Sequence, residues 1–415
     1  MQVGFGAALR VPEFRALWLA EALSVLGDQV ARVALALLVY GRTGSAALTA
    51  LTYALTFVPA MLGVLLAGLA DRYPRRTVLV VADAVRAVLA AAMAAPGLPL
   101  WLLWCLVGAL ALAGPPFKAA QLALLADVLP RGLYQVGLGL RQISTQAAQV
   151  AGFGLGGLLV TAADPGAALL ADAATFAVSA GTVVAFVRPR PSARATAGSD
   201  VDCPSRTDRR AMTAVYLFTG MVGLLVVPEG IAAPYAAAVG AASLGVGLLM
   251  AADPVGSVLG GWWAAHTGSR AGNPAAVTAP AVLAGLPLVA CGVLSGAWPA
   301  MVLWALTGAL STVYLIRLQA VVVDLVPDAR RGTVMGRVTT VLHTSQGVAI
   351  VAAGLVAESL GPVPTVALSG GLASGCAVAA GLVLRAARPR HGAGDGTGRS
   401  VVPVTHADPP SPDGN

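Results

Sequence analysis

A few ionisable residues interrupt long apolar runs, and they are the groups able to do chemistry. Glu21, Asp28 and Arg32 lie in the first run. Spacings of seven and four residues put all three on one helical face. Glu229 stands alone in a later run, just before Gly230 and Pro234, where a helix is expected to bend. Burial disfavours the ionised form of a carboxyl. Asp28 and Glu229 are therefore candidate proton carriers, with Glu21 and Arg32 beside the first. Asp28 and Arg32 equally suit a static ion pair on one helix.

Other charges in apolar runs read as structural or secondary. Asp83 and Arg86 form an i,i+3 pair. Lys118 and Arg317 can snorkel. Arg141 and Arg337 open two corresponding helices, and Asp172 and Asp253 suit either helix bonding or proton relay. His343 suits a packed histidine or a titrating one. Tyr53, Phe57, Trp104, Phe117, Trp304 and Tyr314 suit packing or an apolar substrate. The 4 Cys and 4 His form no ligand cluster, and no Gly-x-x-x-x-Gly-Lys-Ser/Thr loop occurs. Neither metal nor cofactor is expected, and an enzyme is not.

The elements that carry these groups must be membrane helices. Of 415 residues, 57% are hydrophobic and 11% charged. Adding the 49 Gly brings the apolar share to roughly 69%, against roughly 45–50% in soluble domains. That surplus excludes a soluble enzyme, a nucleic-acid binder and a disordered chain. The net charge of +7 is spread over short loops, which suits a bilayer rather than nucleic acid. A bilayer core needs about 20 apolar residues per helix. Twelve spans fit: 14–40, 47–70, 77–95, 100–126, 136–162, 166–187, 212–239, 243–265, 275–296, 299–325, 333–357 and 363–384. Backbone groups in lipid must bond internally, and the segments are too long for barrel strands.

Arg10, Arg72, Arg75, Arg76, Arg131, Arg270, Arg330, Arg331 and the arginines of 188–211 fall on one side; Arg42 faces the other. Both termini are expected to be cytoplasmic. The expected organisation is a six-helix bundle over 10–187, a cytoplasmic linker over 188–211 and a second six-helix bundle over 212–385. A disordered cytoplasmic tail over 386–415 completes it. The halves are alike. Leu103-Trp104-Cys105-Leu106-Val107-Gly108-Ala109-Leu110 recurs as Leu303-Trp304-Ala305-Leu306-Thr307-Gly308-Ala309-Leu310. Asp127-Val128-Leu129-Pro130 recurs as Asp324-Leu325-Val326-Pro327. A parallel duplication puts the working cleft between the halves.

The second span ends Gly68-Leu69-Ala70-Asp71-Arg72-Tyr73-Pro74-Arg75-Arg76. This resembles the loop signature of the major facilitator superfamily, Gly-x-Leu-Ala-Asp-Arg-x-Gly-Arg-Arg/Lys, with Pro74 in place of a glycine. The resemblance covers about residues 10–385 and implies an all-α membrane fold of twelve helices in two six-helix bundles. Helices 1, 4, 7 and 10 are then expected to line a central cavity. It also implies a gating latch of Gly68, Asp71, Arg72, Arg75 and Arg76, with Asp127 a candidate partner; simple topology is the other reading of those arginines. Gly152-Phe153-Gly154-Leu155-Gly156-Gly157 resembles the glycine-rich fifth-helix segment of proton-coupled exporters, with Phe153 where that segment has proline. Generic packing of small residues reads equally well there. Phe14-Arg15-Ala16-Leu17-Trp18-Leu19 and Pro228-Glu229-Gly230 resemble the drug, macrolide and siderophore exporter branch.

The function expected is proton-coupled export of small apolar or cationic compounds by a monomer in the cell membrane. Its partners would be substrate, protons and lipid, with no nucleic acid. A nutrient importer or uniporter of the same fold is the alternative; the short loops argue against a receptor or scaffold.

Overall fold

A computed structural model of the protein describes residues 5–57, 73–190, 209–267, 274–294, 296–326 and 328–387. Every regular element among them is a helix. After a short turn at Phe5–Leu9 come α1 (Pro12–Thr43), α2 (Ala46–Ala54), α3 (Arg75–Met93) and α4 (Leu100–Val128). Next are α5 (Arg131–Ala162) and α6 (Pro165–Phe186). The second half holds α7 in four pieces from Arg209 to Ala238, then α8 (Ser243–Thr267) and α9 (Pro274–Ala290). It ends with α10 (Ala297–Leu325), α11 (Asp328–Leu360) and α12 (Pro362–Ala386). Among the described residues, nine helices are long and apolar enough to cross a bilayer. α3 is long enough but carries four charges, Arg75, Arg76, Asp83 and Arg86. α9 is shorter, and α2 is described only to Ala54.

Within the described residues the expected spans coincide with these helices, two of which are broken, and 58–70 of the second expected span lies outside the described residues. α4 divides at Ala113, because Pro115 and Pro116 follow and lack amide hydrogens. α7 divides around Pro228 and Pro234. There the Glu229 amide donates only three residues back, to Val226, and the two prolines have no amide hydrogen to donate.

Packing repeats between the halves. α1 packs on α5 and α6, and α7 packs on α11 and α12. α3 packs on α6, and α9 on α12. The sequence repeats fall in corresponding helices, α4 and α10. The chain is thus an all-α membrane protein of two six-helix bundles.

The halves meet through α2 on α11 and α5 on α8, two contacts related by the same repeat. Both are close, and both lie on the face that carries the Thr43–Ala46 connection. A Cβ placed at Gly354 would stand 2.5 Å from Ala50 Cβ and 3.0 Å from Ala47 Cα. One at Gly157 would stand 3.1 Å from the carbonyl oxygens of Ser243 and Leu244. A polar contact reinforces the seam. Ser45 caps the start of α2, accepting from the Leu48 amide at 3.1 Å, and donates to Glu358 of α11. The same carboxylate accepts from the Ala47 amide at 3.0 Å. An acid of the second half therefore sits on the positive end of a helix of the first.

Gly157→Val is expected to prevent this face from closing, since the branched side chain would meet the α8 backbone. Spin labels on cysteines at Arg42 and Leu360, one on each half of that face, check it once the native cysteines are replaced. The label distance should lengthen in the variant. A distribution unchanged from the parent would contradict the packing.

Candidate functional site

The charged groups expected to act fall into three clusters. The first is inside the first half. Asp28 of α1 bonds not to Arg32 but to Arg86 of α3, at 3.0 and 2.9 Å through its two oxygens. This corrects the expected Asp28–Arg32 pairing. Arg86 also lies 3.5 Å from Asp83, whose side chain is fully buried and accepts from Ser179 of α6. Its guanidinium stands 4.1 Å above the Phe176 ring. Asp172 of α6 is buried nearby, with neither oxygen hydrogen-bonded among the described residues. Glycine at position 27 makes room for it: a Cβ there would stand 2.5 Å from Asp172 Oδ1. Glu21 is bonded by Arg141 of α5 through two nitrogens.

The second cluster spans the halves. Tyr53 of α2 donates its hydroxyl hydrogen bond to Glu229 Oε2 at the break of α7. Arg32 turns away from Asp28 and lies over the rings of Tyr53 and Phe57, at 5.6 and 5.9 Å. Phe57 in turn stacks on His343 of α11, with centroids 6.1 Å apart and planes at 30°. His343 contacts Gln346 Oε1 through Nδ1 at 3.1 Å. Glu229 and Asp28, although both expected to face one cavity, thus belong to different networks. Asp253 of α8 lies against α10: its Oδ2 would be 2.9 Å from a Cβ at Gly308.

The third cluster is at the other end of the first half. Arg75 pairs with Asp127 and donates to the Ala123 carbonyl at 3.3 Å. Arg76 donates to the Val184 carbonyl of α6. These contacts tie the start of α3 to α4 and α6. Gly68, Asp71 and Arg72 lie outside the described residues.

The glycine run of α5 works on two faces. Cβ atoms at Gly152 and Gly156 would stand 2.8 Å from Gln29 Cβ and 3.0 Å from Val30 Cα of α1. Gly157 faces α8, while Gly154 has open space. The Phe153 carbonyl lies against Gly247, so the ring replacing proline is buried beneath the seam. Sequence reasoning missed Glu358, although it is the lone acid between Arg337 and Arg385 and ends an apolar run. Among the described residues no group of His, Cys, Asp and Glu forms a metal-type cluster.

Comparison with known proteins agrees with this architecture. Residues 17–202 match the family described as the Major Facilitator Superfamily. No curated protein matches the sequence. A crystal structure of a POT family transporter in complex with 5-aminolevulinic acid is similar at a TM-score of 0.74 and 10% identity. It covers 91% of this chain and 96% of its own. The nucleoside transporter NupG is similar at 0.72 and 13% identity, covering 90% and 98%. A bacterial homologue of the human lysosomal transporter Spinster, inward-facing and occupied, reaches 0.69 at 15% identity, covering 90% and 94%. The family match over residues 17–202 and the shared architecture agree with a multi-pass membrane protein of the major facilitator fold.

Proposed function

We propose that the protein is a proton-coupled exporter working by alternating access between its two halves, with both termini cytoplasmic. The Tyr53–Glu229 hydrogen bond carries this reading. It joins α2 of one half to the broken α7 of the other. A bond to an ionised carboxylate is roughly twice as strong as one to a neutral group. Taking up a proton at Glu229 would therefore weaken a contact between the halves, which couples protonation to their relative movement. The arginine distribution makes the Thr43–Ala46 face the outer one, so the conformation described is closed to the outside. Resemblance to the exporter branch supports the direction. Three acids that would attract a cationic substrate are already engaged: Asp28 by Arg86, Glu21 by Arg141 and Glu229 by Tyr53.

Uptake by the same fold is the second reading. It draws support from Arg32, which lies over the Tyr53 and Phe57 rings and forms no ion pair among the described residues, since a polar nutrient needs such a group.

Everted membrane vesicles test the proposal. A panel of small aromatic compounds is loaded outside and the interior is acidified. Accumulation that rises with the gradient and collapses with a proton ionophore is expected. A compound that is carried at a rate indifferent to the gradient would remove proton coupling.

A further inference from the structure

Among the described residues, the charged side chains on the Thr43–Ala46 face are Arg42, Asp164 and Glu358. Arg42 donates to the Leu98 carbonyl of its own half at 2.9 Å, and Asp164 caps the start of α6 by accepting from the Ala167 amide. Glu358 instead reaches across to the other half. It lies just beyond the apolar span 333–357 and is exposed, so it meets the solution bathing that face. Its bonds from the Ser45 hydroxyl and the Ala47 amide both end on Oε1. The Ala47 amide belongs to the first turn of α2, where amides have no partner within the helix.

Packing does not require an acid here. The seams α5–α8 and α2–α11 are related by the repeat, and Gly157 and Gly354 bring main chain close in each. Four residues after Gly354 stands Glu358; four after Gly157 stands Thr161. Thr161 turns its hydroxyl back to the Gly157 carbonyl at 2.7 Å. One seam thus carries a titratable bridge where its counterpart carries a hydroxyl satisfied within its own helix.

We propose that Glu358 is a proton-released latch: as a carboxylate it holds this face shut, and acid in the adjoining solution frees it. Parting α2 from α11 breaks both bonds and leaves the carboxyl in water. A bond to a carboxylate is roughly twice as strong as one to a neutral acid, and a neutral acid brings no charge to the helix start. While the face is shut, the Ser45 hydroxyl first and the Ala47 amide next hold the Glu358 carboxyl below the ordinary glutamate range. Once freed it returns to about 4.3. The latch is therefore fully engaged above that pH and is lost as pH falls through the range beneath it.

Other titratable groups on the packed helices are engaged elsewhere. α11 packs on α2, α7 and α12. Tyr53 of α2 bonds Glu229 of α7, and Tyr235 of α7 packs on Trp304. Arg209, Arg210 and Tyr216 lie toward the opposite end of α7, Arg385 ends α12 and Cys376 lies past its middle. On α11 itself, Arg337 lies toward the other end and His343 stacks on Phe57. That the adjoining solution is the outer one rests on the orientation proposed above; an incoming proton then opens the face through which it enters.

Spin-label distances in the purified full-length chain, its native cysteines replaced, test the latch. Ala163→Cys and Ala242→Cys carry the labels; both positions are exposed, one after α5 and one before α8, on the seam that Glu358 does not bridge. In the parent a long-distance population should grow as pH falls below about 4.3. Glu358→Gln should show it at neutral pH, with the open-to-shut ratio raised roughly two- to fivefold, and should not respond further to acid in that range. Ser45→Ala keeps the carboxylate and the amide bond, so it should open less and still respond to acid; it serves if Glu358→Gln fails to fold. Arg42→Gln should match the parent, and Glu229→Gln should keep the acid response. Glu358→Gln or Ser45→Ala indistinguishable from the parent, or an acid response abolished by Glu229→Gln, overturns the proposal. Acid opening without gradient-driven transport in vesicles defeats only the exporter reading. Gradient-driven transport by a chain whose distances ignore Glu358→Gln defeats only the latch.

Discussion

Glu229→Gln vesicles are expected to lose gradient-driven accumulation while still exchanging labelled for unlabelled substrate. The amide keeps the size of the side chain and an oxygen able to accept from Tyr53, so the contact between α2 and α7 persists. What it loses is the ability to take and release a proton. One pH unit is worth about 1.4 kcal/mol, or roughly tenfold accumulation for each proton exchanged. The variant should lose all of that and fall to the level of vesicles without a gradient. Tyr53→Phe should lie between the two, since it keeps the ring under Arg32 and removes only the donor. Parental accumulation by Glu229→Gln, at equal protein, would take this carboxyl out of the coupling step.

Arg86→Met should be the most destabilising change. Arg86 alone offsets two carboxylates, Asp28 and Asp83, the second with no exposure at all. Removing one member of a buried ionic group leaves uncompensated charge and costs about 3–5 kcal/mol. For a chain of this size that is a fall in Tm of about 3–6 °C. The triple variant that adds Asp28→Asn and Asp83→Asn should recover most of the loss, because the whole ionic group is then gone. Melting curves in detergent decide it, and an Arg86→Met protein as stable as its parent would show the cluster to be hydrated rather than dry.

These two cases also mark what the sequence could reveal. Glu229 was conspicuous as one acid in a long apolar run beside Gly230 and Pro234, and its helix is indeed broken there. Its partner Tyr53 was not, because nothing along the chain links two residues 176 positions apart. Asp28 and Arg32 were readable as neighbours on one face, but adjacency on a helix surface is worth only a few tenths of a kcal/mol. The arginine on α3 approaches Asp28 head-on, and Arg32 is left to the aromatic rings. Helix positions followed from hydropathy because lipid length sets them. The division of α4 escaped that measure, since proline is tolerated in an apolar run while still withholding a backbone hydrogen. Glu358 escaped for a different reason: its significance depends on the start of α2 being opposite it.

The way α8 is seated bears on motion. Cβ atoms at Gly256 and Gly260 would stand 2.8 and 2.7 Å from the Cα atoms of Ala305 and Ala309 in α10. On its other side Gly247 abuts Gly157 of α5 in the same manner. Main chain rests on main chain along both flanks, so no long side chain is available to absorb a shift by changing rotamer. α8 and α10 are therefore stiffly geared, and whatever dislodges α5 must roll the pair as one piece or leave it where it is.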